Sequence, residues 1–208
     1  VSKLTIVNMD RKPKTVDRRD KLIHAASQLI QRQGYARTTL AEIAEAGDVP
    51  LGSVYYYFKS KDEVLVAIID RRVKGLRHLL VEGIASAGPR ERLEALIQIW
   101  VTDKDIDTLY GCPIGSLCYE LAKQREASGE TTAKPLRFLL QWAEDQFRQM
   151  GRGEESPADA LHGITVLQGA SLVANAFNNP AVILQETDHL KAWLENLVGQ
   201  HQPRGAKH

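Results

Sequence analysis

Apolar residues recur at three- and four-residue spacing from Leu22 to Leu197, and no run alternates apolar with polar residues at a period of two. Helices require that periodicity and strands do not, so the chain is read as all-α. Glycine, proline and capping residues divide it. Leu22, Ile23, Ala26, Leu29 and Ile30 form one stripe that stops at Gly34, a helix C-cap residue. Leu40, Ile43 and Ala44 form a second, short one that Thr38 or Thr39 can cap and Gly47-Asp48 break. Pro50 pre-sets a third helix over 51–58, and Ser60 caps a long fourth one that starts at Lys61 and carries apolar residues to Ile84. Beyond Gly88-Pro89, five more helical segments are predicted at 90–104, 113–127, 132–151, 156–178 and 180–198, which makes about nine helices in all.

The fold class that follows is a compact N-terminal trio of helices joined through a long fourth helix to a C-terminal bundle. Its expected divisions are a basic, flexible arm at 1–16, the trio at 17–60, the bundle at 61–200 and a disordered tail at 201–208 without core-forming residues. A content of 43% hydrophobic and 25% charged residues fits folded structure throughout. No apolar run approaches the roughly 20 residues of a bilayer span, and the first residues lack the apolar core of a secretory signal, so no membrane role and a cytoplasmic location are expected. Net charge is only +1, but residues 1–62 hold 11 Lys+Arg against 7 Asp+Glu, while the rest hold 16 against 19. Any affinity for a polyanion belongs to the N-terminal third.

The stretch VPLGSVYYYFKSK, residues 49–61, carries the chemistry. Three successive tyrosines on a helix fan over more than half its circumference, so they cannot all enter a core. Helix two, a tight turn and helix three make a helix-turn-helix, whose second helix lies in a DNA major groove. In that arrangement Leu51, Val54 and Phe58 are expected to anchor helix three. Gly52, Ser53 and Tyr56 then face the groove, with Tyr55 and Tyr57 at its margin. Lys59 and Lys61 supply charges for the phosphates, and Thr38 and Thr39 supply hydroxyls beside free helix N–H groups.

The segment TTLAEIAEAGDVPLGSVYYYFKSKDEVL, residues 38–65, resembles the DNA-binding signature of the TetR family of bacterial transcriptional repressors. That resemblance, over about 45 residues, implies an all-α homodimer that binds double-stranded DNA at a palindromic operator. It further implies a C-terminal bundle for ligand binding and dimerisation, in which a small molecule binds and so releases the DNA. It assigns Thr38 or Thr39 to a phosphate, Gly52, Ser53 and Tyr55 to positions next to bases, and Tyr56, Tyr57 and Lys61 to phosphates. The chain departs from the family pattern at Asp48, where a glycine is frequent, and at Pro50-Leu51, where a Ser-Lys pair is common. Loss of that lysine throws weight onto the arm residues Arg11, Lys12, Lys14, Arg18 and Arg19.

In the bundle, GCPIGSLCYELA, residues 111–122, resembles a cavity-lining segment of a subset of such regulators. Trp100, Tyr110, Leu117, Cys118, Leu121, Phe138, Trp142 and Phe177 are the candidates to line a pocket for a small apolar or aromatic ligand. Cys112 precedes Pro113 at an expected helix N-terminus, where the helix dipole favours thiolate. An alternative function is therefore a thiol or electrophile sensor acting through Cys112. A further alternative is a helical dimerisation module that no longer binds DNA. Leu161, Ile164, Leu172, Leu190 and Leu194 on the last two helices are the expected dimer face. No HExxH, GxSxG or phosphate-loop motif is present, and neither cysteine has metal-ligand spacing, so no enzyme activity, catalytic residue, metal or cofactor is expected.

Overall fold

The computed structural model describes residues 17–123 and 129–199, and among these it holds ten α-helices and no strand. The arm expected at 1–16 and the tail expected at 201–208 lie outside them. The helices are α1 (Arg18–Gln33), α2 (Leu40–Ala46), α3 (Leu51–Tyr57), α4 (Lys61–Arg77), α5 (Pro89–Tyr110), α6 (Gly115–Lys123), α7 (Gly129–Thr132), α8 (Lys134–Gln149), α9 (Ser156–Phe177) and α10 (Ala181–Gly199). One wide helical turn, His78–Glu82, follows α4. The predicted 132–151 helix begins only at Lys134, because Pro135 lacks the N–H that a helix interior needs and occupies the first turn. The single turn of α7 stands before it as a separate element.

Local signals set the helix ends. Thr39 is the residue that caps α2: its hydroxyl accepts the Glu42 N–H at 3.2 Å while the Glu42 carboxylate accepts the Thr39 N–H at 2.8 Å, a reciprocal capping box. Ser60 caps α4 by accepting the Glu63 N–H. Between α2 and α3, Asp48 takes a left-handed φ of 51°, so the turn forms without the usual glycine.

Two hydrophobic cores result. The first joins α1, α2, α3 and the first half of α4 around Leu22, Ile43, Val54, Phe58 and Ile68, and it also takes in Leu117 and Leu121 from α6. The second fills the bundle around Leu96, Trp100, Leu139, Leu167, Ala174 and Leu194. The N-terminal trio is thus packed onto α6 of the bundle rather than hinged at a linker. Arg72 of α4 is a further tie. It is buried on the apolar register Ile68-Ile69-Leu76, and its guanidinium donates to the Pro113 carbonyl in the α5–α6 loop and to Ser27 Oγ of α1 at 3.3 Å.

Three of the five residues expected at a dimer face are core instead. Ile164, Leu190 and Leu194 are buried against α5 and α8, since both helices present one apolar stripe inward to their own bundle. Leu161 and Leu172 are exposed, as are Val173 and Phe177 on α9 and Leu184 on α10. The absence of an apolar run of bilayer length is also corrected. The helical stretch Gly153–Phe177 reaches a mean hydropathy of 1.2 over 18 residues with only a third of that window buried. It packs against α5, α8 and α10, and what makes it unusual is the apolar face it leaves uncovered.

Candidate nucleic-acid interface and cavities

On α3 the residues 51, 52, 55 and 56 share one outward arc, and all four are exposed, Tyr56 by 78% and Tyr55 by 50%. Val54 and Phe58 hold the opposite side in the first core. Leu51 does not anchor α3 as expected. It is 44% exposed, because Val49, two residues earlier in the chain, fills the core position, with its N–H on the Ala44 carbonyl at 3.0 Å. Gly52 is open enough that a Cβ added there meets no atom within 4 Å. Ser53 and Tyr57 are half-buried at the edges, and the rings of Tyr56 and Tyr57 meet edge-on at 5.0 Å. The arc is a short apolar and phenolic ridge with a gap at Gly52.

The flanking groups are more committed than their types suggest. Thr38 is fully buried and its hydroxyl donates to the Gly34 carbonyl at 2.7 Å, which removes it from any outer contact; the exposed hydroxyl is that of Thr39, which donates to the Glu42 carboxylate at 2.8 Å. The Lys59 ammonium donates to the Tyr55 carbonyl at 2.8 Å and closes the end of α3. Lys61 donates to the Tyr35 carbonyl at 3.0 Å and lies 4.3 Å from the centre of the Tyr35 ring. Tyr35 is itself buried and bonds Asp62; burial first and this carboxylate second push its phenol well above the ordinary range, so it stays a neutral donor. Of the basic arm, Arg18 and Arg19 begin α1 and are exposed, with the Arg19 guanidinium 5.2 Å from the centre of the Phe58 ring. Arg11, Lys12 and Lys14 lie outside the described residues.

The α1–α2 turn below this surface is gripped from the bundle by a residue with no signal in the sequence. The Glu120 carboxylate of α6 accepts the Tyr35 and Ala36 N–H groups at 2.8 Å each. Arg72 could have been found, since it interrupts the apolar register of α4 with a charge.

Among the described residues, two spaces bear on where a small molecule enters. The first is a wholly apolar gap inside the bundle between Ile97, Phe147, Leu167 and Trp193, with about 20 Å³ free, enough for roughly one water. The second is a cleft of about 300 Å³ between α1 and α6, with mixed polar and apolar walls. None of the eight candidate ligand residues lines the first, and only Tyr110 and Leu117 line the second. Trp100 is fully buried with its indole N–H on Ser171 Oγ at 3.0 Å. Leu121 belongs to the first core, and Trp142 is buried in the second. Phe138 packs under the Arg77 guanidinium, and Phe177 is 71% exposed at the end of α9. The Cys118 thiol donates to the Thr132 carbonyl at 3.0 Å. Large residues marked the core rather than the free volume.

Cys112 is corrected as a sensor. It is 3% exposed, and burial, reinforced by the nearby Asp107 charge, pushes its thiol up to about 12. The dipole of a helix that begins only at Gly115 does not offset that desolvation. At neutral pH this leaves far less thiolate than an ordinary cysteine has. In a Cys118→Ala background, Ellman's reagent at about pH 7.5 is expected to leave the native protein unlabelled on the scale of minutes and to titrate one thiol once denaturant is added. Rapid labelling of the native protein would restore the sensor reading.

Residues 22–68 match a family model described as bacterial regulatory proteins, tetR family. Over 188 residues the chain is 30% identical to an uncharacterized HTH-type transcriptional regulator in the lacX 3′ region of Lactococcus lactis subsp. lactis, across 86% of this chain and 94% of that one. It is 24% identical over 186 residues to the HTH-type transcriptional regulator LmrA of Bacillus subtilis (strain 168), across 88% and 97%. Among solved structures, a TetR transcriptional regulator from Legionella pneumophila superposes with a TM-score of 0.74 at 18% identity, covering 89% of this chain and 99% of that one. The reduced form of E. coli NemR gives 0.72 at 22%, covering 85% and 96%. At such identities the structures speak for the fold alone.

Proposed function

The chain belongs to the tetR family of bacterial transcriptional regulators, and from that premise we propose that it binds a palindromic operator as a homodimer and lets go when a small molecule occupies it. One observation carries the reading: α3 presents Leu51, Gly52, Tyr55 and Tyr56 outward in a continuous arc that the fold of this chain does not use. Gly52 admits the close approach of a base edge. Tyr55 and Leu51 offer apolar surface to thymine methyls, and Tyr56 and Tyr57 offer phenols to phosphates. Ser53 serves a base or a phosphate from the edge of the arc. Thr39 and the N–H groups of the first turn of α2 face the neighbouring phosphate, while Lys59 and Lys61 add charge around the bonds they already make. The domains in this reading are the helix-turn-helix at 17–60 and the ligand-binding and dimerisation bundle at 61–200, with α6 packed under the former.

Dimerisation is carried by the uncovered apolar face of α9, Leu161, Leu172, Val173 and Phe177, extended by Leu184 of α10. Leu172→Glu replaces an exposed leucine by a charge on that face, so the fold keeps its stability to within about 0.5 kcal/mol while the dimer constant weakens by about tenfold or more. Sedimentation equilibrium reads the second and thermal unfolding the first; a variant that stays dimeric would move the interface elsewhere.

Selection from a library of random duplexes tests the whole reading and needs no operator sequence to start from. Enrichment of an inverted repeat with half-sites about one or two helical turns apart is the expected result. Enrichment of nothing, with the wild type purified intact, would leave the helical module without DNA as the better account.

A further inference from the structure

The cleft between α1 and α6 is lined by a cation, Arg32, near the end of α1, and by Gln31, whose side-chain nitrogen is buried without a hydrogen-bond partner among the described residues. Arg72 adds a second guanidinium at its back, already engaged with Pro113 and Ser27. Leu109, exposed, and Leu117, buried, add apolar surface to the lining, together with the half-exposed Tyr110. Among the described residues Glu120 is the one carboxylate on the lining, and its oxygens are occupied by the Tyr35 and Ala36 N–H groups. The volume, about 300 Å³, lies at the lower end of small-molecule sites.

From this we infer that the α1–α6 cleft is a binding site for a small amphipathic carboxylate, an aromatic or short aliphatic acid. Its carboxylate pairs with the Arg32 guanidinium, the Gln31 amide, buried and unpartnered in the empty cleft, turns outward to donate to it, and its carbon skeleton lies on Leu109 and Leu117. A guanidinium beside an amide N–H₂ matches the two oxygens of a carboxylate, whereas a neutral amide ligand would place its own N–H₂ against donors. Occupancy brings a second negative charge beside Glu120. Repulsion weakens the hold of Glu120 on the α1–α2 turn, and with it the placement of α2 and α3. The cleft is therefore placed to couple a ligand to the DNA-facing surface directly, without opening the nearly closed apolar gap of the bundle. The coupling rests on the ligand-responsive reading proposed above; the binding itself does not.

The test uses the full chain without DNA. Benzoate, phenylacetate and hexanoate are titrated by calorimetry against the wild type and Arg32→Glu, with benzamide as the uncharged control, and the same compounds are soaked into crystals. At least one acid is expected to saturate the wild type, with benzamide and the Arg32→Glu variant each about tenfold weaker or worse, and with density between α1 and α6. Thermal unfolding of Arg32→Glu within about two degrees of wild type confirms that the fold survives. Saturation by none of the three acids, or binding that ignores Arg32→Glu or the loss of charge in benzamide, would overturn the site. An acid that binds as expected yet leaves the selected duplex bound would uphold the site and contradict ligand release.

Discussion

Gly52→Glu is expected to abolish operator binding, by about a hundredfold or more, with no loss of stability. The added side chain enters open space on the outward arc of α3, where a Cβ touches nothing within 4 Å, so the fold has no clash to absorb. Replacing glycine inside a helix also removes backbone freedom from the unfolded chain, which favours the folded state by roughly 0.5–1 kcal/mol in the corresponding Gly52→Ala variant. Against DNA the same side chain has two costs. It fills the gap through which the backbone approaches the bases, and it sets a negative charge among phosphates. Thermal unfolding together with fluorescence anisotropy on a selected duplex separates the effects. Equal affinity for wild type and Gly52→Glu would take α3 out of the groove.

Asp107 makes the bundle expensive to keep at high pH. Its carboxyl lies in the second core, with Oδ2 accepting from Ser171 Oγ at 2.9 Å, Ser171 accepting from Trp100 Nε1, and Oδ1 buried without a partner among the described residues. Burial pushes its pKa up to about 7, opposed by the Ser171 hydrogen bond and helped by the charge of Asp103. In the unfolded chain Asp107 ionises near pH 4, so between about pH 4 and 7 the unfolded state has lost a proton that the folded state keeps. Stability therefore falls as pH rises through that window, by on the order of 4 kcal/mol for this group, and the cost is complete above it. Asp107→Asn keeps an oxygen for Ser171 and cannot ionise. Its stability is expected to match wild type near pH 4 and to exceed it by several kcal/mol at about pH 8, read as the difference between two chemical denaturation series. Parallel pH profiles in the two proteins would show that Asp107 is solvated and ordinary.

The all-α fold was legible because its signals are local. Apolar spacing, Gly34, the Thr39-Glu42 capping box, Ser60 and the proline at the start of α8 each act within a turn of the chain. Even Asp48 in the α2–α3 turn could be read, since aspartate tolerates a left-handed φ. What could not be read depends on neighbours distant in sequence. Spacing alone put Leu51 inward, but Val49 reaches that part of the core first. The leucines of α9 and α10 share one composition, and only packing against α5 and α8 separates buried Ile164, Leu190 and Leu194 from exposed Leu161 and Leu172. For Cys112 a helix N-terminus was a local argument for thiolate, and enclosure by the bundle outweighed it. Aromatic size likewise does not report free volume: Trp100 and Trp142 fill the core, while the roomier cleft is bounded by α1 and α6, which stand far apart in the chain.

The most direct measurement is nuclease footprinting of the purified protein on the DNA flanking its own gene, at near-physiological salt with excess competitor, for wild type beside Gly52→Glu. A protected inverted repeat that fades steeply as salt rises and is absent for the variant is the expected result. Protection that ignores sequence, or that Gly52→Glu reproduces, would contradict the assignment of α3 as the reader of an operator.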